Sequence, residues 1–120
     1  MTNLEIYNIA NSLMEAFNDN TQKLPVKVNF FLQKNKKTLL NLAQEIEEAR
    51  INIAQAYGVL NEETGNYSVP SEKIIEAQQD LENLFNIDQN IDIMKINYND
   101  LDPNMELTTA QMEALMFMIE

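Results

Sequence analysis

The chain contains neither cysteine nor histidine, and it has only two glycines in 120 residues. Without cysteine there is no disulfide framework, and without either residue an ordinary zinc site is excluded. A Ser-His-Asp triad lacks its general base. Two glycines cannot build the GxxxxGK[ST] or GxGxxG phosphate loops, and neither motif occurs. We therefore predict a protein that is not an enzyme and that holds no cofactor.

Long apolar runs and a basic leader are also missing. The first 20 residues carry acids at Glu5, Glu15 and Asp19 and no basic residue, which is unlike a secretory signal peptide. The apolar runs are a few residues long, whereas a membrane span needs about 20. We expect a cytoplasmic protein that does not contact the membrane.

Positive charge is scarce in the C-terminal part of the chain. Residues 1–50 balance six acids with six bases, but residues 51–120 set thirteen acids against Lys73 and Lys95, giving a net charge of −11. Such a field attracts cationic surfaces and repels nucleic acid. We therefore expect a protein partner with a basic surface and no binding to nucleic acid. The candidate partner-binding residues are Glu62, Glu63, Glu72, Glu76, Asp80, Glu82, Asp88 and Asp92.

A heptad stripe predicts one long helix between Pro25 and Gly58. Apolar residues recur at 3-4 spacing from Val28 onward, which is typical of a coiled-coil seam. The seam residues are Leu32, Leu39, Leu42, Ile46, Ile53 and Leu60. Another helix of the same chain or a second copy would have to cover them, so a homo-oligomer is one alternative. Asn35 interrupts the stripe, either as a register-specifying residue or because the seam has already frayed there.

Shorter elements flank this helix. A capping box of Thr2 and Glu5 opens a first helix over residues 3–18, which ends in the polar segment 19–22. After a turn at residues 61–69, a third helix begins near Ser71 and is expected to pack antiparallel on the long helix as an αα-hairpin. Tyr67 to Val69 form at most a small strand.

The C-terminal part is expected to hold a strand and a helix. Alternation around Ile91 and Ile93 predicts a strand over residues 89–97, and Thr108 with Gln111 forms a second capping box. We thus predict a single, mainly α domain. It comprises an N-terminal helix (1–22), a coiled-coil-like antiparallel hairpin (25–87), and a strand plus C-terminal helix (88–120), with a small β element.

Two local patterns were weighed as binding sites. Residues 88–92 have the D-x-N-x-D opening of a calcium loop, but Ile93 and Asn99 stand where that loop needs glycine and glutamate, so we predict no metal site. The lysine cluster of residues 23–37, interleaved with Phe30 and Phe31, suits either a nucleic-acid surface or a counter-surface for acidic neighbours.

The order of these motifs resembles a known protein family. Leu24-Pro25-Val26-Lys27-Val28 leads into the long helix, the turn Glu63 to Pro70 follows, and the chain ends with Leu107-Thr108-Thr109-Ala110-Gln111 and a short helix. This is similar to a family of small, uncharacterised proteins from phages and prophages of Gram-positive bacteria, over residues 24–120. The resemblance implies action in the infected bacterial cytoplasm and supplies no catalytic residues.

These observations favour an interaction protein. We expect it to bind and inhibit a host protein, such as a defence nuclease of the CRISPR type, through an acidic surface that mimics nucleic acid. The alternative is an accessory or chaperone of virion or tail assembly that acts as a helical oligomer.

Overall fold

A computed structural model of the protein describes residues 1–18 and 24–120. The helices are α1 (Asn3–Ala16), α2 (Val26–Tyr57), α3 (Ile74–Phe85) and α4 (Thr109–Leu115). Two short strands, β1 (Val59–Leu60) and β2 (Tyr67–Ser68), pair antiparallel, and 3₁₀ turns cover Ser71–Lys73, Tyr98–Asp100 and Met116–Met118. The mainly helical fold with a small β element is confirmed. The predicted polar segment 19–22 and Lys23 lie outside the described residues.

Both predicted capping boxes are present. The Thr2 hydroxyl accepts a hydrogen bond from the Glu5 amide at 3.2 Å, while the Glu5 carboxylate accepts one from the Thr2 amide at 3.1 Å. Thr108 and Gln111 repeat the arrangement at the start of α4. Side chains thus satisfy amides that have no partner inside the first turn of either helix.

Helix α1 covers the first half of the α2 seam. The two helices run antiparallel, since Tyr7 near the start of α1 donates to Glu47 at 3.1 Å and Lys36 donates to the Phe17 carbonyl at 3.0 Å. Leu32, Leu39 and Ile46 on α2 are buried against this interface. The N-terminal helix, whose role the sequence did not reveal, is therefore the partner that this part of the seam requires.

The second half of α2 packs against α3, which returns along it as the predicted αα-hairpin. Ala77 is the buried contact residue of α3, and Leu42 and Ile53 of the seam are half-buried. Leu60 is a correction to the predicted seam: α2 ends at Tyr57, so Leu60 lies in β1 and is 46% exposed. The first half of the seam is therefore covered by α1 of the same chain, whereas the seam residues near the end of α2 are more exposed.

The C-terminal elements complete the core on the side of α1. Leu115 and Met118 are fully buried, and the side-chain amide of Gln111 donates to the Ala16 carbonyl at 2.9 Å. The hairpin of β1 and β2 lies at the opposite end of α2. Its loop turns at Gly65, whose φ of 73° lies in the left-handed region that glycine adopts without steric cost.

The predicted strand over residues 89–97 is wrong. Among residues 1–18 and 24–120, no strand lies beside this extended segment, apart from an isolated bridge between Ile96 and Ile119. The buried Asn35 side chain takes the place of a neighbouring strand: it accepts from the Met94 amide at 2.8 Å and donates to the Met94 carbonyl at 3.0 Å. Asn35 is thus neither a register residue between copies nor a sign of fraying.

A second buried asparagine acts on the same segment. Asn3 donates to the Leu84 carbonyl at 2.8 Å and accepts from the Gln89 side chain at 2.6 Å. Buried amide groups are costly unless their hydrogen bonds are made, so Asn3 and Asn35 together fix the path of the chain after α3.

Candidate functional site

The end of the molecule formed by the β-hairpin and the start of α3 combines exposed acidic and apolar side chains. We call this the distal surface. Its members are Val59, Leu60, Glu62, Glu63, Tyr67, Glu72, Ile75 and Glu76. The molecule measures 55 × 31 × 20 Å, and the surface lies at one end of its long axis because α2 runs the length of that axis.

The charge of this end is strongly negative. Residues 51–85 hold six acids against Lys73 alone. Glu62 and Glu63 lie in the hairpin loop, Glu72 follows in the 3₁₀ turn, and Glu76 lies in the first turn of α3. All four are exposed, so their charges reach the solvent and can steer a cationic partner.

The apolar members of the distal surface were not found from the sequence. Val59 is 62% exposed and Ile75 is 78% exposed, with Leu60 and Tyr67 beside each other on the paired strands. A scattered exposed aliphatic residue is ordinary, but Leu60 and Tyr67 are directly paired, so their side chains share one face of the hairpin. A sequence pattern does not show which aliphatic residues are exposed. Val59 and Ile75 are of the residue types found in cores, so their exposure becomes visible only in the structure.

Asp80 has a structural contact as well as a charge. Its carboxylate accepts a hydrogen bond from the Tyr57 hydroxyl at 2.6 Å and so joins the last turn of α2 to α3. That hydrogen bond, with the burial of the phenol and the charge of the carboxylate, raises the pKa of Tyr57 above its ordinary value. Asp80 is therefore half-buried and less available to a partner than Glu76.

The remaining predicted partner-binding residues are spread along the molecule. Glu82 is exposed on α3, about two turns beyond Ile75. Asp88 is exposed and pairs with the N-terminal amine at 3.2 Å. Asp92 faces α2 near Lys34, about 37 Å along the helix axis from β1 at 1.5 Å per residue. Four of the eight carboxylates thus belong to the distal surface, Asp80 and Glu82 lie further along α3, and Asp88 and Asp92 lie at two separate sites.

Asp92 borders a polar groove between α2 and the extended segment. The groove has a volume of about 610 Å³, and Lys34, Thr38, Asn41 and Asn90 also line it. Acid and base catalysis by paired carboxylates needs two of them within a few ångströms. Among the described residues lining the groove, Asp92 is the one carboxylate, so the groove holds no such pair.

The lysine cluster lies at the other end of α2. Lys27 pairs with Asp100 at 3.1 Å, and its amine also lies 5.8 Å from the centre of the Phe31 ring. Lys34 lies 5.7 Å from the centre of the Phe30 ring. Cation–π contacts of this kind are a local use for the aromatic residues. The structure therefore supports the counter-surface interpretation for Lys27. Lys23 is outside the described residues.

Two further features are absent from the described part of the chain. Residues 1–18 and 24–120 contain no group of three acidic side chains arranged to hold a metal ion. Within the same ranges, no helix is both long enough and apolar enough to cross a membrane.

Comparison with known proteins adds no relative. Neither a family model, nor a curated protein, nor a solved structure matches this chain. Any function must therefore be argued from the surfaces described above.

Proposed function

We propose that the protein acts by binding, without catalysis of its own, and that its distal surface engages a basic surface on another protein. The observation that carries this proposal is the exposure of the aliphatic side chains of Val59 and Ile75 within residues 59–76, the same part of the chain that carries four exposed carboxylates. Solvation alone would account for the carboxylates, but it gives no reason to expose the aliphatic side chains.

The two kinds of side chain have different roles in such an interface. Carboxylates at the rim speed encounter and orient the partner, and they contribute modestly to affinity. Aliphatic and aromatic side chains that become fully buried supply most of the binding energy. A partner that fits has cationic side chains around an apolar depression.

The partner class we propose is a nucleic-acid-handling enzyme of the infected bacterial host, such as a defence nuclease. The groove of such an enzyme is lined with Lys and Arg because it binds phosphates. The body is about 20 Å across in its narrowest direction and carries a net charge of −11, so it has the sign of charge that such a groove attracts. Occupation of the groove would inhibit the enzyme in the host cytoplasm. The phage setting of this proposal rests on the order of the sequence motifs alone, since no family model matches the chain.

A second candidate function is that of an assembly accessory of the phage virion or tail. The observation in its favour is the open end of the seam, where Ala56 is exposed and Ile53 is only half-buried. A helix from another subunit could pack there. In this case the protein would associate with virion components rather than with a host enzyme.

Affinity capture from host-cell lysate tests the proposal. Nuclease-treated lysate is passed over the tagged protein, and the bound proteins are eluted by raising the salt from about 0.1 M to about 1 M, which shortens the Debye length from about 10 Å to about 3 Å. We expect mass spectrometry to identify a nucleic-acid-handling enzyme that is released as the salt rises. Recovery of virion components, or of the bait protein alone, would favour the second candidate and contradict the first.

A further inference from the structure

The side of α2 opposite the seam is uncovered along the helix. At about 100° per residue, eight exposed side chains of α2 fall within an arc of about 60° on this side, and six of them lie between residues 30 and 51. These residues are Phe30, Gln33, Lys37, Gln44, Glu48 and Ile51. We call them the outer stripe. Phe30 is 59% exposed and Ile51 is 40% exposed, so two large apolar side chains face solvent near opposite ends of the stripe.

The sequence separations between neighbouring members of the outer stripe read the same from either end of α2. Successive members are separated by three, four, seven, four and three residues. A second copy that lies antiparallel, with a twofold axis midway between residues 40 and 41, therefore meets the stripe with matching positions. Phe30 lies opposite Ile51 of the second copy, and Lys37 lies opposite Gln44. Twofold symmetry makes each of these contacts twice.

Charge selects the antiparallel direction. The part of α2 before residue 38 carries four lysines and no acid, whereas residues 45–48 carry three glutamates. Antiparallel packing about this axis places Gln33 of one copy opposite Glu48 of the other, with Lys34 one residue further along the helix. Parallel packing would place lysines beside lysines and glutamates beside glutamates, which is destabilising at this spacing. Among the described residues, Lys34 and Lys37 form no ion pair within the chain.

We propose that two copies of the chain form an antiparallel, twofold-symmetric dimer through the outer stripe of α2. The predicted seam is not the dimer interface, because α1 and α3 cover most of it inside the chain. The distal surfaces then lie at opposite ends of the dimer, about 50 Å apart along α2, where each remains open to a partner. The dimer does not depend on the proposed function.

Cross-linking of single-cysteine variants tests both the interface and its direction. The chain has no cysteine of its own, so an introduced cysteine is the only thiol that can be cross-linked. Asn41 lies beside the expected twofold axis, whereas Gln55 would be about 43 Å from its copy in an antiparallel pair. With a short bismaleimide, we expect Asn41→Cys to give a covalent dimer and Gln55→Cys to remain monomeric. Cross-linking of both variants, as in a parallel pair, or of neither would overturn the proposal.

Sedimentation equilibrium of purified protein supplies the second measurement. Phe30→Glu, an exposed substitution, should raise the dimer Kd at least about tenfold, because it places a carboxylate in each of two apolar contacts. Val59→Glu is the control: it is similarly exposed but lies on the distal surface, and it should leave the dimer Kd unchanged. An unchanged Kd for Phe30→Glu in a variant with native circular dichroism would refute this interface, whatever the outcome of the capture experiment.

Discussion

Replacement of Leu39 by alanine is expected to lower the free energy of unfolding by about 3–5 kcal/mol. Leu39 has no exposed surface and lies in the core between α1 and α2. Truncation removes buried methyl groups and leaves a cavity in this core, which the surrounding structure fills only in part. Urea denaturation followed by circular dichroism measures the change.

Leu60→Ala provides the matched control for this substitution. Leu60 has the same heptad phase in the sequence but is 46% exposed and lies in β1, so we expect a loss of less than about 1 kcal/mol. Equal losses at both positions would show that the stripe is buried throughout, for instance between copies. That result would contradict the intramolecular closure of the seam by α1.

Asn35→Ala should cost about 2–4 kcal/mol, although it improves helix propensity. The substitution leaves both the amide and the carbonyl of Met94 without the partners that Asn35 supplies. A backbone group left unpaired away from water loses its solvation without compensation. The same urea experiment measures the change, and hydrogen exchange at the Met94 amide should become faster.

Asn41→Ala is the control for Asn35→Ala. Asn41 lies on the same helix and is exposed. Both substitutions therefore gain the same helix propensity, but only Asn35→Ala loses buried hydrogen bonds. We expect Asn41→Ala to change stability by no more than about 0.5 kcal/mol. If the two variants are equally stable, Asn35 does not hold the extended segment in place.

The helices were predictable because their signals are local. The capping boxes at Thr2 and Thr108 and the long stripe of α2 fix helix starts and buried faces from residues a few positions apart. The αα-hairpin followed from the turn between two such stripes. The identity of the helix that covers Leu39 is not local information, and nothing in the α2 pattern selects α1 over a second copy.

The strand over residues 89–97 shows why local alternation is insufficient. Ile91 and Ile93 alternate as in a strand, but a strand also needs a neighbour for its backbone groups. Here the Asn35 side chain, 59 residues away in sequence, fills that role for Met94. At the candidate site, the acidic charge follows directly from the sequence. The exposure of Val59 and Ile75 does not, because it depends on how the β-hairpin packs.

The structure also changes which substitutions are informative at the distal surface. Asp80 accepts from Tyr57, so its removal would disturb the junction of α2 and α3 as well as the surface charge. Exposed carboxylates that make no such structural hydrogen bond can be replaced to test binding without a change in the stability of the fold. A variant that carries Glu62→Gln, Glu72→Gln and Glu76→Gln, all on the distal surface, meets this condition.

The measurement that tests the central claim most directly compares this triple variant with a second one of equal net charge. The second carries Glu15→Gln, Glu113→Gln and Glu120→Gln, all exposed and away from the distal surface. Each is titrated against the captured host enzyme at fixed salt. We predict that the distal variant loses affinity at least about tenfold, or about 1.4 kcal/mol, while the second stays close to wild type. Equal affinity of the two variants would contradict recognition through the distal surface.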